Sequence, residues 1–168
     1  FREALRIEPS LAVARFNLAL ALLYANDGAA AAQEARAAAA LMPSYAGPSY
    51  VLGLIAKSAG RASEAAAAFE RVVQMDPEDP AANVQLGQVK LQLGDTAGAI
   101  ARFEAALTFE PFNATAAYNL SVALGRAGRA ADARRLLERF QALRESGSAV
   151  TFGSGYLEQG RYAEAVVS

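Results

Sequence analysis

The chain contains neither cysteine nor histidine. Without cysteine there is no disulfide and no thiolate metal site. Without histidine the commonest general base and the commonest metal ligand are missing. No glycine-rich phosphate loop replaces them. Gly53 and Gly87 read as helix-packing glycines, and Gly60, Gly94 and Gly128 as turns. Carboxylate pairs such as Glu78–Asp79 fall in a loop with no partner and read as solvated charges. An enzyme, a cofactor and a metal site are therefore not expected. An excess of charge is also lacking: 16 bases stand against 17 acids, for a net charge of -1. Such a balance sets up no field for nucleic acid or an anionic membrane. The longest apolar run, Leu18 to Ala25, falls far short of the roughly 20 residues of a membrane span. The chain opens on FREALRIEP and closes on RYAEAVVS, and both read as mid-helix. It reads as a piece of a longer protein, with no secretory signal visible. Its alanine content and its preference for arginine over lysine fit a GC-rich bacterium, and the compartment stays open between cytoplasm and export.

What the sequence does have is a period. Pro9, Pro43, Pro77 and Pro111 follow one another at 34 residues. A leucine and a small residue recur in step: Leu18–Ala19, Leu52–Gly53, Leu86–Gly87 and Leu120–Ser121. Thirteen positions after each leucine stands Ala31, Ala65, Ala99 or Ala133. A fixed period of this length signals stacked helical hairpins, none of which can bury its apolar face alone. The paired small residues let two helices approach closely. Phe69, Phe103 and Leu137, four positions further on, are expected to fill the gap to the next unit.

The pattern divides the chain into a second half-repeat over 1–11, repeats over 12–45, 46–79 and 80–113, a short repeat over 114–145 and a truncated one over 146–168. Residues 1–9 read as the tail of a helix that Pro9 ends. The helices then run over about 13–25, 29–41, 47–59, 63–75, 81–93, 97–109, 115–127 and 131–144, with Ser63 suited to an N-cap. The second helix of the first repeat is nearly all alanine, and Ala35 stands where neighbours carry Phe69 and Phe103. That repeat is expected to be thinly packed and soft.

Together these positions resemble the tetratricopeptide repeat (TPR): leucine–glycine, a glycine–arginine or glycine–aspartate turn, an alanine, an aromatic, and a closing acid–proline. The resemblance covers the whole chain, although no tryptophan opens any first helix and Glu145 replaces the last proline. It implies an all-α solenoid of antiparallel helix pairs. More narrowly, 136–168 resembles the repeat region of large, often exported bacterial proteins in which such repeats precede FG-GAP/ASPIC-type β-propellers.

The family resemblance also implies a concave face lined by first helices, where a partner's peptide or helix lies. Carried over by phase, it points to Phe16, Asn17, Leu20 and Tyr24 in the first repeat, and to Tyr50, Leu54 and Lys57 in the second. It gives Gln85, Gln88 and Gln92 in the third, and Tyr118, Asn119, Val122 and Arg126 in the fourth. Leu23, Val51, Ser58, Val84, Leu91 and Thr115 share these phases. Aromatics offer contact area at low entropic cost, and amides hydrogen-bond an extended backbone. The carboxylate clamp of chaperone-binding members is absent, because Phe16, Tyr50, Val84 and Tyr118 occupy the phase of its first lysine. An asparagine ladder fits loosely through Asn17, Gln85 and Asn119, but Val51 interrupts it. The arginines from Arg126 to Arg144 crowd one repeat and read as a solvated face or as contact with an acidic partner.

The expected function is a protein-interaction scaffold for a peptide or helix. The alternatives are a spacer or self-associating arm, and a docking array for a catalytic domain elsewhere. Partners are protein or peptide, with a homo-oligomer through the terminal repeats as the second possibility; nucleic acid is not expected.

Overall fold

A computed structural model describes residues 4–145 and 160–166. Among the described residues the chain is all helix and turn. The α-helices are α1 (Ala4–Tyr24), α2 (Gly28–Leu41), α3 (Gly47–Ser58), α4 (Ala62–Met75), α5 (Pro80–Gln92), α6 (Thr96–Phe109), α7 (Ala114–Arg126) and α8 (Ala130–Glu145). One short 3-10 turn follows, Arg161–Ala163. None of these helices is long and apolar enough to cross a membrane. The class is an all-α array of antiparallel helix pairs. It falls into two compact units, Phe1–Asp76 with Arg161–Ser168, and Pro77–Gly160.

In the first unit α1 pairs with α2 and α3 with α4, and the first helices α1 and α3 touch. The hairpin turns use left-handed backbone at Asn26 and Gly60, where a residue without a bulky branched side chain is favoured. Glycine inside α3 has a packing reason. A Cβ on Gly53 would meet the Phe69 ring at 2.6 Å, so the ring of α4 presses against the backbone of α3. The aromatic thus closes its own hairpin. In the first hairpin Ala31, Ala35 and Ala38 are fully buried instead. Phe16 supplies the missing bulk and stacks edge-on against Tyr45, with ring centroids 5.3 Å apart.

The second unit repeats the device. A Cβ on Gly87 would meet the Phe103 ring at 2.5 Å. Phe103 then packs with Leu91, Ile100, Leu120 and Leu124, and Ala133 and Leu136 of α8 close the cluster from the side. The next counterpart, Leu137, is 44 % exposed. Asn83 takes a place where a tryptophan would be usual for the pattern. It is buried, donates from Nδ2 to the carbonyls of Pro77 and Asp79, and accepts from Arg102.

Three local expectations change. Pro9 does not end a helix, because α1 runs through it. Proline forfeits its own N–H and crowds the carbonyl one turn back, whereas continuation gives the amides of Ser10 to Val13 carbonyl partners. Ser63 lies inside α4, whose N-cap is Arg61 without a side-chain cap bond. Asp79 is not a solvated charge: it is 2 % exposed and caps α5, its Oδ1 accepting from the Ala82 amide at 2.6 Å. Burial pushes its carboxyl above the usual range; the Ala82 bond opposes the shift and nearby Glu110 adds to it. Asp27, Asp95 and Asn113 cap α2, α6 and α7 in the same way.

Candidate functional site

The first helices carry the candidate residues, and their surroundings differ between the units. In the first unit Phe16 and Leu20 are buried within the α1–α2 hairpin and present no surface. Asn17 and Tyr24, on the adjoining stripe of α1, point elsewhere. Asn17 Nδ2 donates to the Val166 carbonyl at 2.9 Å, and its Oδ1 accepts from the Val166 amide at 2.9 Å. One side-chain amide thus satisfies both polar groups of one backbone residue. The Tyr24 hydroxyl donates to the Ala163 carbonyl at 3.1 Å. Segment 161–166, read from sequence as mid-helix, is instead a short 3-10 turn leading into irregular backbone against α1 and α3.

Tyr162 anchors that segment. Its ring centroid lies 5.9 Å from Tyr45 and 6.1 Å from Tyr50, and its hydroxyl donates to the Asp76 carboxylate. Arg161 forms an ion pair with the same carboxylate and lies over the Tyr162 ring, 5.1 Å from its centroid. Ala163, next in the chain, is buried. Tyr50 is wholly buried between Tyr162 and Phe69, the latter 5.5 Å away edge-on. Burial pushes the Tyr45 hydroxyl above its ordinary pKa, and the Arg161 charge partly offsets this. Leu54 and Lys57 follow on α3, half-buried.

In the second unit Gln85 is buried, while Gln88 is half-buried and Gln92 exposed on α5. On α7 Tyr118 is 65 % exposed. Asn119 turns back to its own helix, donating to the Thr115 carbonyl at 2.8 Å. Val122 packs against the core cluster, and Arg126 reaches back to the Leu91 carbonyl at 3.4 Å. Helices α5 and α7 are in contact, and Arg126 reaches the end of α5 next to Gln92. On α8 Arg129 and Arg135 both pair with Asp132, while Arg134 and Arg139 are exposed. Arg144 lies outside the described side chains. Among the described residues no group of acids could hold a metal.

Sequence reasoning missed Tyr45, Asp76, Arg161, Tyr162 and Val166. Asp76 read as the closing acid of a repeat, and Arg161–Tyr162 as part of a helix. No periodicity reports a contact between residues 149 positions apart, as Asn17 and Val166 are.

Paired antiparallel helices, a 34-residue period and glycines pressed on aromatics define a helical-repeat protein, and comparison with known families makes the class specific. The chain belongs to the tetratricopeptide repeat family, whose model matches residues 16–80, 50–114 and 84–150. Among solved structures it is similar to crystal structures of MamA. One has a TM-score of 0.78 at 17% identity, covering 89% of this chain and 87% of that one. Another has a TM-score of 0.77 at 17% identity, over 90% of this chain and 83% of that one. MamA 41-end from Desulfovibrio magneticus RS-1 gives 0.72 at 20% identity, over 79% of this chain and 75% of that one. At these identities the likeness concerns the fold alone. No curated protein matches the sequence.

Proposed function

We infer that this chain is a non-catalytic scaffold that receives an extended segment of a partner protein on its first-helix faces. The observation that carries the reading is the pair of hydrogen bonds between Asn17 and the Val166 backbone. An amide side chain that satisfies both polar groups of one residue recognises extended backbone independently of the guest's side chains. The α5–α7 surface offers the same chemistry, with Gln88, Gln92 and the exposed ring of Tyr118. A stripe that pairs an aromatic with amides suits a peptide better than a nucleic acid, which needs a basic groove.

The test is partner capture by the intact chain and by Tyr118→Ala and Gln92→Ala variants. The reading expects helicity unchanged and capture weakened. Equal capture by all three removes the α5–α7 face from consideration. Self-association is the second reading, favoured by Leu137, Phe140 and Gln141, which line an open hollow on α8. A sedimentation profile that is monomeric at high concentration counts against it.

A further inference from the structure

We propose that the first unit holds a dedicated pocket for an arginine–tyrosine pair on a short peptide turn, and that Arg161–Val166 occupies this pocket in cis as an internal ligand. The proposal rests on the scaffold reading above and deepens it for one face.

Three features on separate elements converge on the pocket. The first is a carboxylate, Asp76 at the end of α4, which takes both the Arg161 guanidinium and the Tyr162 hydroxyl. The second is a wall of two rings, Tyr45 before α3 and Tyr50 on it, edge-on or tilted to Tyr162. The third is the amide of Asn17 on α1, which holds the backbone of Val166 four residues after the tyrosine. Tyr24 adds a bond to the Ala163 carbonyl between these two points.

This set reads side chains as well as backbone. The carboxylate demands a positive charge and a hydroxyl together, and charge-assisted bonds are the stronger kind. The ring wall demands an aromatic. The buried Ala163 position demands a small residue. The partner class is therefore a peptide with a basic residue, a tyrosine and a small residue in succession on a 3-10 turn, followed by irregular backbone. While the chain's own segment sits there, such a peptide binds only the fraction of molecules in which the pocket is open, so its apparent affinity falls by that fraction.

The test uses the 168-residue chain and the acetylated, amidated peptide GRYAEAV, the sequence of 160–166, labelled for fluorescence anisotropy. The intact chain is compared with a variant carrying Arg161→Ala and Tyr162→Ala, after circular dichroism has shown equal helicity. The peptide is expected to bind the variant at least about tenfold more tightly than the intact chain. Adding Asp76→Asn to the variant, or replacing the peptide's tyrosine by phenylalanine, should weaken that binding. Equal affinity for the intact chain and the variant overturns the proposal, since the pocket is then not covered. Absence of binding to the well-folded variant overturns it as well. A dimer that falls apart on Arg161→Ala and Tyr162→Ala overturns the cis assignment, because the segment then reaches a second copy. Partner capture that stays sensitive to Tyr118→Ala while the peptide fails leaves the scaffold reading standing without this pocket.

Discussion

Tyr50 and Tyr118 occupy the same phase of the repeat, 68 positions apart, and meet opposite fates. Tyr50 is fully buried and Tyr118 is 65 % exposed. Their hairpins explain the difference. Behind Tyr50 stands Phe69, laid against Gly53, and in front of it stands Tyr162. In the hairpin of Tyr118, Ser121 replaces the glycine and a largely exposed Leu137 replaces the aromatic. The neighbouring amides differ as well: Asn17 holds another segment's backbone, and Asn119 holds its own helix. One phase of the repeat therefore holds buried side chains at Phe16, Tyr50 and Val84 and an exposed one at Tyr118. Family position alone does not decide which residues are free to meet a partner; the side chains packed on both sides of them do.

The largest break in this comparison is expected from the two tyrosines. Tyr50→Ala empties a filled aromatic site and should cost about 3–5 kcal/mol in denaturant unfolding. Tyr118→Ala removes exposed surface and should stay within about 0.5 kcal/mol. The glycine position comes next. Gly53→Ala drives a Cβ into the Phe69 ring and should cost about 1–3 kcal/mol. Ser121→Ala loses only the bond to the Tyr118 carbonyl and should cost about 1 kcal/mol or less.

The caps of the first helices give a smaller contrast. Helix α3 begins at Ala46 with no side-chain cap bond, whereas α5 begins at the buried Asp79. Asp79→Ala should cost about 1 kcal/mol. The carboxyl of Asp79 is raised in the fold, so the folded state holds its proton more tightly than the unfolded chain. Its contribution is present in acid and is lost as pH rises from the unfolded value through the folded one. Asp95, exposed at the cap of α6, is shifted the other way, first by the Gly98 amide and then by Lys90. Its contribution is present above the unfolded pKa and is lost as pH falls through the folded one. Asp79→Asn should therefore remove a loss of stability with rising pH, and Asp95→Asn a loss with falling pH. Urea midpoints measured across the carboxylate range separate the two.

The helical hairpins were legible in the sequence because their signals are local. Leucine–small pairs, alanines thirteen positions on and turn glycines recur in phase, and the observed helix ends from α2 onward lie within a residue or so of those expected. The path through Pro9 was not legible, because proline is disfavoured inside a helix and the period put a helix end there. The Arg161–Tyr162 pocket was not legible either. Its parts come from α1, the turn before α3, the end of α4 and a segment 85 residues further along, and period-based reasoning treats each of these as scaffold. Asp79 misled for a related reason: an acid beside a proline resembles a solvated turn until its neighbours cover it.

The central claim is that Asn17 grips extended backbone. Hydrogen exchange at the Val166 amide tests it most directly, because that amide's bond is to the Asn17 side chain. In the intact chain the amide should exchange at least about tenfold more slowly than in an unstructured peptide, and Asn17→Ala should restore the free rate while the helices stay protected. Free exchange at Val166 in the intact chain, or protection that survives Asn17→Ala, would contradict the account.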